Sequence, residues 1–222
     1  MNDRVMSKED FKVSMDATRE HGKAWDASRL PPGFDWRAID ERQPVRGIGS
    51  GGRLDQGYYL YHYGSLLPEG ALVVEVGTLN GASAVCMGMG MRGKGGKIVT
   101  IDPILHRSHR IGQVRETIKH FAMEDVIFPV AGTSEEVLNG WDGREIDLLY
   151  IDGSHTYEDV LIDCRWMEHV RVDGVTVFDD WCEPVKKGAY EYLEDRPEWE
   201  KLTASTAQPP GHPWMTVFWR NA

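Results

Sequence analysis

The side chains best equipped for chemistry sit in two short stretches, each following an apolar run. "YIDGSHTYED" (150–159) places Asp152 and His155 after "DLLYI", and "FDDW" (178–181) places Asp179 and Asp180 after "GVTVF". Folding alone asks for neither an acid nor an imidazole at the mouth of a hydrophobic strand. Parallel strands lie about 4.8 Å apart, so if the two runs are sheet neighbours their three carboxylates converge. Carboxylates that close repel one another and hold protons more tightly. A divalent cation on Asp152, Asp179 and Asp180 resolves the conflict. Oxygen-only ligands point to Mg²⁺, with Ca²⁺ or Mn²⁺ also compatible. The plainer alternative is that Asp179 and Asp180 cap the next helix or face water. His155 has a different use: an imidazole titrates near ~6.5, which suits removal of a hydroxyl proton near neutral pH. Its plainer alternative is a cap on the helix starting near Thr156.

A second constellation stands earlier. "EVGTLNGAS" (75–83) reads as a strand, a glycine turn and a helix start. Gly77 permits the sharp turn, and Gly81 permits a ligand to approach the helix N-terminus. The spacing is G-x-x-x-G and not G-x-G-x-x-G, so the dinucleotide cradle is missing. Twenty-one residues after Gly81, Asp102 ends the run "GKIVTIDP". An acid at that place suits two hydrogen bonds to a ribose diol.

These residues need a scaffold that brings strand ends together. From residue 71 the chain alternates apolar runs with amphipathic segments. "ALVVEVG", "GKIVTIDP", "VIFPVAG", "IDLLYID" and "GVTVFDD" read as strands. Between them, "NGASAVCMGMGMRG", "SHRIGQVRETIKHFAME", "SEEVLNGW" and "YEDVLIDCRWMEHV" read as helices. "VKKGAYEYLED" adds a helix, and "EKLTAST" with "WMTVFWR" reads as a closing antiparallel hairpin. Continuous apolar strands alternating with helices imply an α/β fold: a mostly parallel sheet covered on both faces. Ligands of such sheets bind beyond the carboxyl ends of the strands, where Glu75–Gly77, Asp102, Gly132–Ser134, Asp152–His155 and Asp179–Asp180 all fall.

Before that body, residues 1–57 read as an N-terminal arm with a short helix near "SKEDF", ending in a glycine-rich loop, "RGIGSGGRLDQG" (46–57), that suits a lid or equally a plain connector. Residues 58–222 read as the main domain, opening on the helix "YYLYHYGSLL". Trp181, Tyr58, Tyr59 and Tyr63 are candidates to wall a ring-shaped ligand or stack on adenine, though each taken alone is more often packing. "ILHRSHR" (104–110) is a candidate grip for an anionic substrate, though such runs are more often solvated loops.

The order "VVEVGTLNGAS" then "VTIDP" resembles motifs I and II of class I S-adenosylmethionine (SAM) dependent methyltransferases. The later acids bring the resemblance closest to the metal-dependent O-methyltransferases, both the catechol and caffeoyl-CoA type and the sugar methyltransferases of antibiotic tailoring. It covers roughly residues 55–222. The resemblance implies a Rossmann-like three-layer sandwich whose seven-stranded sheet is mostly parallel, with an antiparallel last strand. It implies SAM as cofactor, with Glu75, Gly77, Thr78 and Gly81 shaping the methionine and ribose pocket. Asn80 and Ser83 would meet the methionine carboxylate, Asp102 the ribose and Ser134 the adenine, with Asp152 bordering cofactor and metal. It implies Mg²⁺ on Asp152, Asp179 and Asp180, and methyl transfer to a hydroxyl of a small sugar, catechol-like or natural-product acceptor. The chain departs from the catechol-type pattern at His155, where a lysine base is usual. Some sugar-modifying relatives carry an acid at the position of Ser154 instead. These departures leave room for a SAM- and metal-binding relative that does not methylate. A nicotinamide oxidoreductase is disfavoured by the missing G-x-G-x-x-G.

Bulk composition narrows the rest. The 222 residues carry 25 Lys and Arg against 35 Asp and Glu, a net charge of −10. That balance disfavours a nucleic-acid backbone as partner. No window reaches the ~18 apolar residues of a membrane span, and "MNDRVMSKEDFK" has no signal-peptide run. Cys86, Cys164 and Cys182 have neither zinc spacing nor an even count, so a reducing, cytoplasmic setting is expected. The arm could reach a neighbouring subunit in a homo-oligomer.

Overall fold

The computed structural model describes residues 8–9, 50–205 and 215–222; for 50–56, 58 and 203–205 it describes the backbone alone. The elements are α1 (Ser50–Leu66), β1 (Leu72–Val76), α2 (Ala82–Gly90), β2 (Lys97–Asp102), α3 (Ser108–His120) and β3 (Ile127–Ala131). They continue with α4 (Ser134–Asn139), β4 (Ile146–Ile151), α5 (Tyr157–Cys164), β5 (Val170–Phe178), α6 (Glu183–Leu193), β6 (Trp199–Ser205) and β7 (Met215–Arg220). Short 3₁₀ turns at Pro103–His106 and Arg165–His169 lead into α3 and β5.

One seven-stranded sheet runs in the order β3-β2-β1-β4-β5-β7-β6. The first five strands pair in parallel, and β7 pairs antiparallel with both β5 and β6. Strand order reverses between β1 and β4, so the switch point lies between them. Side chains alternate across the pleat. Val73, Leu148, Tyr150, Val175 and Val177 face the layer that holds Leu60, Val85, Val114 and Ile118. Val74, Val76, Leu149, Ile151 and Phe178 face Val160, Cys164, Trp166, Val185 and Ala189. Helices α1–α3 therefore cover one face and α4–α6 the other, the expected three-layer sandwich.

The glycine-rich stretch expected to be a loop through residue 57 is helical from Ser50 onward. Each glycine costs a helix about 1 kcal/mol relative to alanine. Burial of Tyr59, Leu60 and Tyr63 in the same helix offsets that cost. Glycine also earns its place where α1 crosses α2. A Cβ on Gly64 would overlap the Met87 carbonyl, and one on Gly90 the Tyr61 carbonyl. The domain boundary drawn after residue 57 therefore falls inside α1. The rest of the expected arm, including the segment 46–49, lies outside the described residues apart from Lys8 and Glu9. The Lys8 ammonium reaches Glu200 and donates to Asn221 Oδ1 at 2.9 Å, on the β6–β7 edge. No helix among the described residues is long and apolar enough to cross a membrane.

Candidate active site

The β1–α2 turn begins with a steric demand. Gly77 has φ 99°, and a Cβ there would overlap the backbone carbonyl of Asp152. The turn thus lies directly against the β4 end, as only glycine permits. Asp102, at the end of β2, then fixes the turn. Its Oδ2 accepts the N–H groups of Thr78 (3.1 Å) and Leu79 (2.9 Å), and its Oδ1 that of Ile104 (2.9 Å). Leu79 is held at φ 45° with an exposed apolar side chain. Beneath the turn the Thr78 and Thr100 hydroxyls bond at 2.6 Å.

Glu75 is fully buried in β1, level with Thr100 on β2 and Tyr150 on β4. The Ser83 hydroxyl donates to its Oε1. Burial pushes its carboxyl up to about 7, against hydrogen bonds from Ser83 and Thr100 that pull it down. Glu75 Oε2 and Asn80 Nδ2 are buried without a hydrogen-bond partner among the described residues. A buried polar atom left unpaired costs about 1–3 kcal/mol, so each is a place for a ligand to bond. One is an acceptor and the other a donor, and they flank the start of α2. That helix opens at Gly81 with no side-chain cap on its N–H groups. An ammonium for Glu75 and a carboxylate for Asn80 and the helix end are what an amino-acid moiety such as that of SAM offers.

The β4 and β5 ends form the other half. Tyr150, fully buried, donates its hydroxyl to Asp179 Oδ2 at 3.0 Å, with Asp152 Oδ2 at 3.5 Å. Burial, then the charges of Asp179, Asp180 and Glu75, push the Asp152 carboxyl well above the usual range. Burial and then Asp180 push Asp179 up to about 6. Asp152 and Asp179 also act on each other, so the pair retains a proton to higher pH than a free carboxyl would. Asp180 sits at φ 41°, in the left-handed region that Asp tolerates better than most residues. This turn parts the two adjacent acids: Asp179 goes inward to Tyr150, and Asp180 meets His155 Nε2 at 3.1 Å. The hydrogen bond to Asp180 raises the His155 pKa above its ordinary value, against partial burial.

His155 does not cap α5. Thr156 does, accepting the Asp159 N–H at 3.3 Å, with its own hydroxyl on Asp159 Oδ2 at 2.7 Å. Single ligand atoms of Asp152, His155 and Asp180 lie within 4.8 Å of one another. Two carboxylates and an imidazole suit a divalent cation. Among the three expected metal-binding acids, Asp179 is the one turned to Tyr150. Ser134 is also engaged: its hydroxyl accepts the Trp166 indole N–H at 3.0 Å and bonds Asp163. Trp181, Tyr59 and Tyr63 are buried; Trp181 packs on Phe178, Phe218 and Tyr190 as core and not as pocket wall. His106, Arg107 and His109 are exposed beside β2, away from the acid cluster. Sequence reasoning missed Tyr150 and Asp163. The first stands two residues before Asp152, on the same side of the strand. The second is an acid three residues after Val160, on the buried face of α5.

Residues 74–181 match the protein-family model described as a methyltransferase domain. An uncharacterised protein of Acanthamoeba polyphaga mimivirus is 30% identical over 121 residues, 49% of this chain and 50% of that protein. The chain thus spans about half the length of the curated relative it matches. An O-methyltransferase from Bacillus cereus solved with S-adenosylhomocysteine superposes with TM-score 0.63 at 15% identity, over 95% of this chain and 100% of that one. TomG from Streptomyces achromogenes, an O-methyltransferase of tomaymycin synthesis solved with SAM, gives 0.61 at 14%, over 99% and 92%. Segment 74–181 is similar to the methyltransferase domain family, and the chain shares the fold of these solved O-methyltransferases.

Proposed function

We propose that this protein moves the methyl group of SAM to a hydroxyl of a small molecule: a sugar, a catechol-like ring or another natural-product acceptor. The observation that carries the reading is the contact of Gly77 with the Asp152 carbonyl. It makes the cofactor turn and the acid–imidazole cluster one site, so that a methyl donor and a proton acceptor can meet there. SAM, when bound, supplies an electrophilic sulfonium methyl. Glu75 and Asn80 hold its amino-acid end, and Asp102 keeps the turn in shape with one acceptor position left for a ribose hydroxyl. His155, its Nε2 committed to Asp180, takes the acceptor's proton on the other ring nitrogen, and Asp180 stabilises the imidazolium that forms. The solved O-methyltransferases that share the fold support oxygen as the methylated atom, and the part TomG plays in tomaymycin synthesis supports natural-product synthesis as the setting.

A second arrangement rests on the 4.8 Å cluster. Asp152, His155 and Asp180 would hold a divalent cation, Mg²⁺ or a more nitrogen-tolerant ion, which when bound supplies a Lewis acid for the hydroxyl. A SAM-binding protein that does not methylate is the alternative outcome.

The test is methyl transfer from labelled SAM to a panel of catechols and glycosides, with and without chelator, for wild type and His155→Ala. Loss of about 10²-fold or more in kcat for His155→Ala in chelator supports the base. Activity abolished by chelator and restored by added metal supports the cation arrangement. SAM binding with no transfer to any acceptor would sink the enzyme reading.

A further inference from the structure

A buried carboxyl outside this machinery touches both loops that flank it. Asp163 lies on α5 and is only 3% exposed. Burial pushes it up to about 7, against a hydrogen bond from Ser134 that lowers it. Ser134 is the first residue of α4, just after the β3 loop, and its oxygen also accepts the Trp166 N–H. On its other side Asp163 lies under Gly153. A Cβ added there would stand 3.1 Å from Asp163 Oδ2 and 3.1 Å from Val76 Cγ1. Gly153 is the residue between Asp152 and the segment that presents His155. A leucine would fill the interior of α5 without the desolvation cost of an acid. The carboxyl is therefore spent on what it joins.

We infer that Asp163 is a positioning residue that ties the loop after β3, on the cofactor side, to the loop after β4 that carries Asp152 and His155. It acts through Ser134 on one side and through close packing beneath Gly153 on the other. Adenosine that orders the β3 loop thereby also sets the height of the Asp152–His155 segment. The inference rests on the methyltransferase reading above and adds a route between its two halves.

The experiment uses the full chain, with S-adenosylhomocysteine titrated by calorimetry and the His155 imidazole followed by NMR, for wild type, Asp163→Asn and Asp163→Ala. Wild type binds, and the His155 resonance shifts on binding. Asp163→Asn keeps an acceptor oxygen and stays within about threefold in Kd with the shift retained. Asp163→Ala weakens binding about tenfold and loses the His155 shift, at temperatures well below its Tm. If Asp163→Ala does not fold, Ser134→Ala stands in for it and gives the same loss of the His155 shift. Wild-type binding and an unchanged shift in the Ala variants overturn the inference alone, as does an Asn variant as damaged as Ala. A wild type that does not bind S-adenosylhomocysteine overturns the methyltransferase reading and this inference together.

Discussion

The two halves of the site are built in opposite ways. At the β1–β2 edge one carboxylate, Asp102, is surrounded by three backbone N–H donors. At the β4–β5 edge three carboxylates face one another with a single phenol and a single imidazole among them. The Asp102 turn is satisfied before any ligand arrives, so its shape is set in advance, and Glu75 Oε2 and Asn80 Nδ2 beside it are the atoms left for a ligand. The second is electrostatically unsettled: Asp152 and Asp179 hold on to a proton more tightly than the same groups in water would. A cofactor pocket gains from fixed geometry, whereas a site that must move a proton gains from groups near their balance point.

The seam between the halves is where this contrast breaks most easily. Gly77→Ala adds a Cβ into the Asp152 carbonyl at a φ that alanine resists. It should cost on the order of a hundredfold in SAM affinity, or about 3 kcal/mol. Calorimetry reads the affinity, and a tightly binding Ala variant would show that the two halves are not rigidly joined.

Next in size is the pH dependence of the ligand-free protein. Glu75 rises from an ordinary 4.5 to about 7 in the fold. Between these values the folded chain binds more protons than the unfolded one, so stability falls as pH rises through that window. One such group contributes up to roughly 1.4 kcal/mol per pH unit. Thermal melts from pH 4.5 to 7.5 should therefore slope downward. Glu75→Gln should make the slope shallower by that one group's share, leaving the part due to Asp152, Asp163 and Asp179, and bound SAM should do the same if its ammonium meets Glu75. An equal slope in the Gln variant would move the effect to other acids.

Smallest is Tyr150→Phe. The ring stays and one donated hydrogen bond goes, costing about 1–2 kcal/mol and a few degrees of Tm. The informative readout is proton uptake on acidification. With the phenol gone, the Asp152–Asp179 pair should hold its proton to higher pH. An unchanged titration would remove Tyr150 as the group that settles Asp179.

Much of this was legible in the sequence because the signals are local. Apolar runs gave the strands, and the spacing from Gly81 to Asp102 gave the second strand's end. Asp152 and the Asp179–Asp180 pair fall where β4 and β5 stop. What stayed hidden depends on the fold as a whole. Nothing in "FDDW" says that a left-handed Asp180 would send its neighbour inward to a tyrosine 29 residues earlier. Nothing in "GTSEE" says that the Ser134 hydroxyl would turn to a tryptophan 32 residues on. The glycines before residue 58 argued for a loop, and burial further along the same helix outweighed them.

The order β5-β7-β6 has a consequence for how the chain comes together. β6 precedes β7 in sequence, yet among the described residues its sheet partner is β7 alone. A growing chain that has emerged only through β6 has nowhere to seat it, and the edge of β5 stays open. Completion of the sheet therefore waits for a late, long-range insertion, of the kind that slows folding and leaves an adhesive strand edge exposed in the meantime.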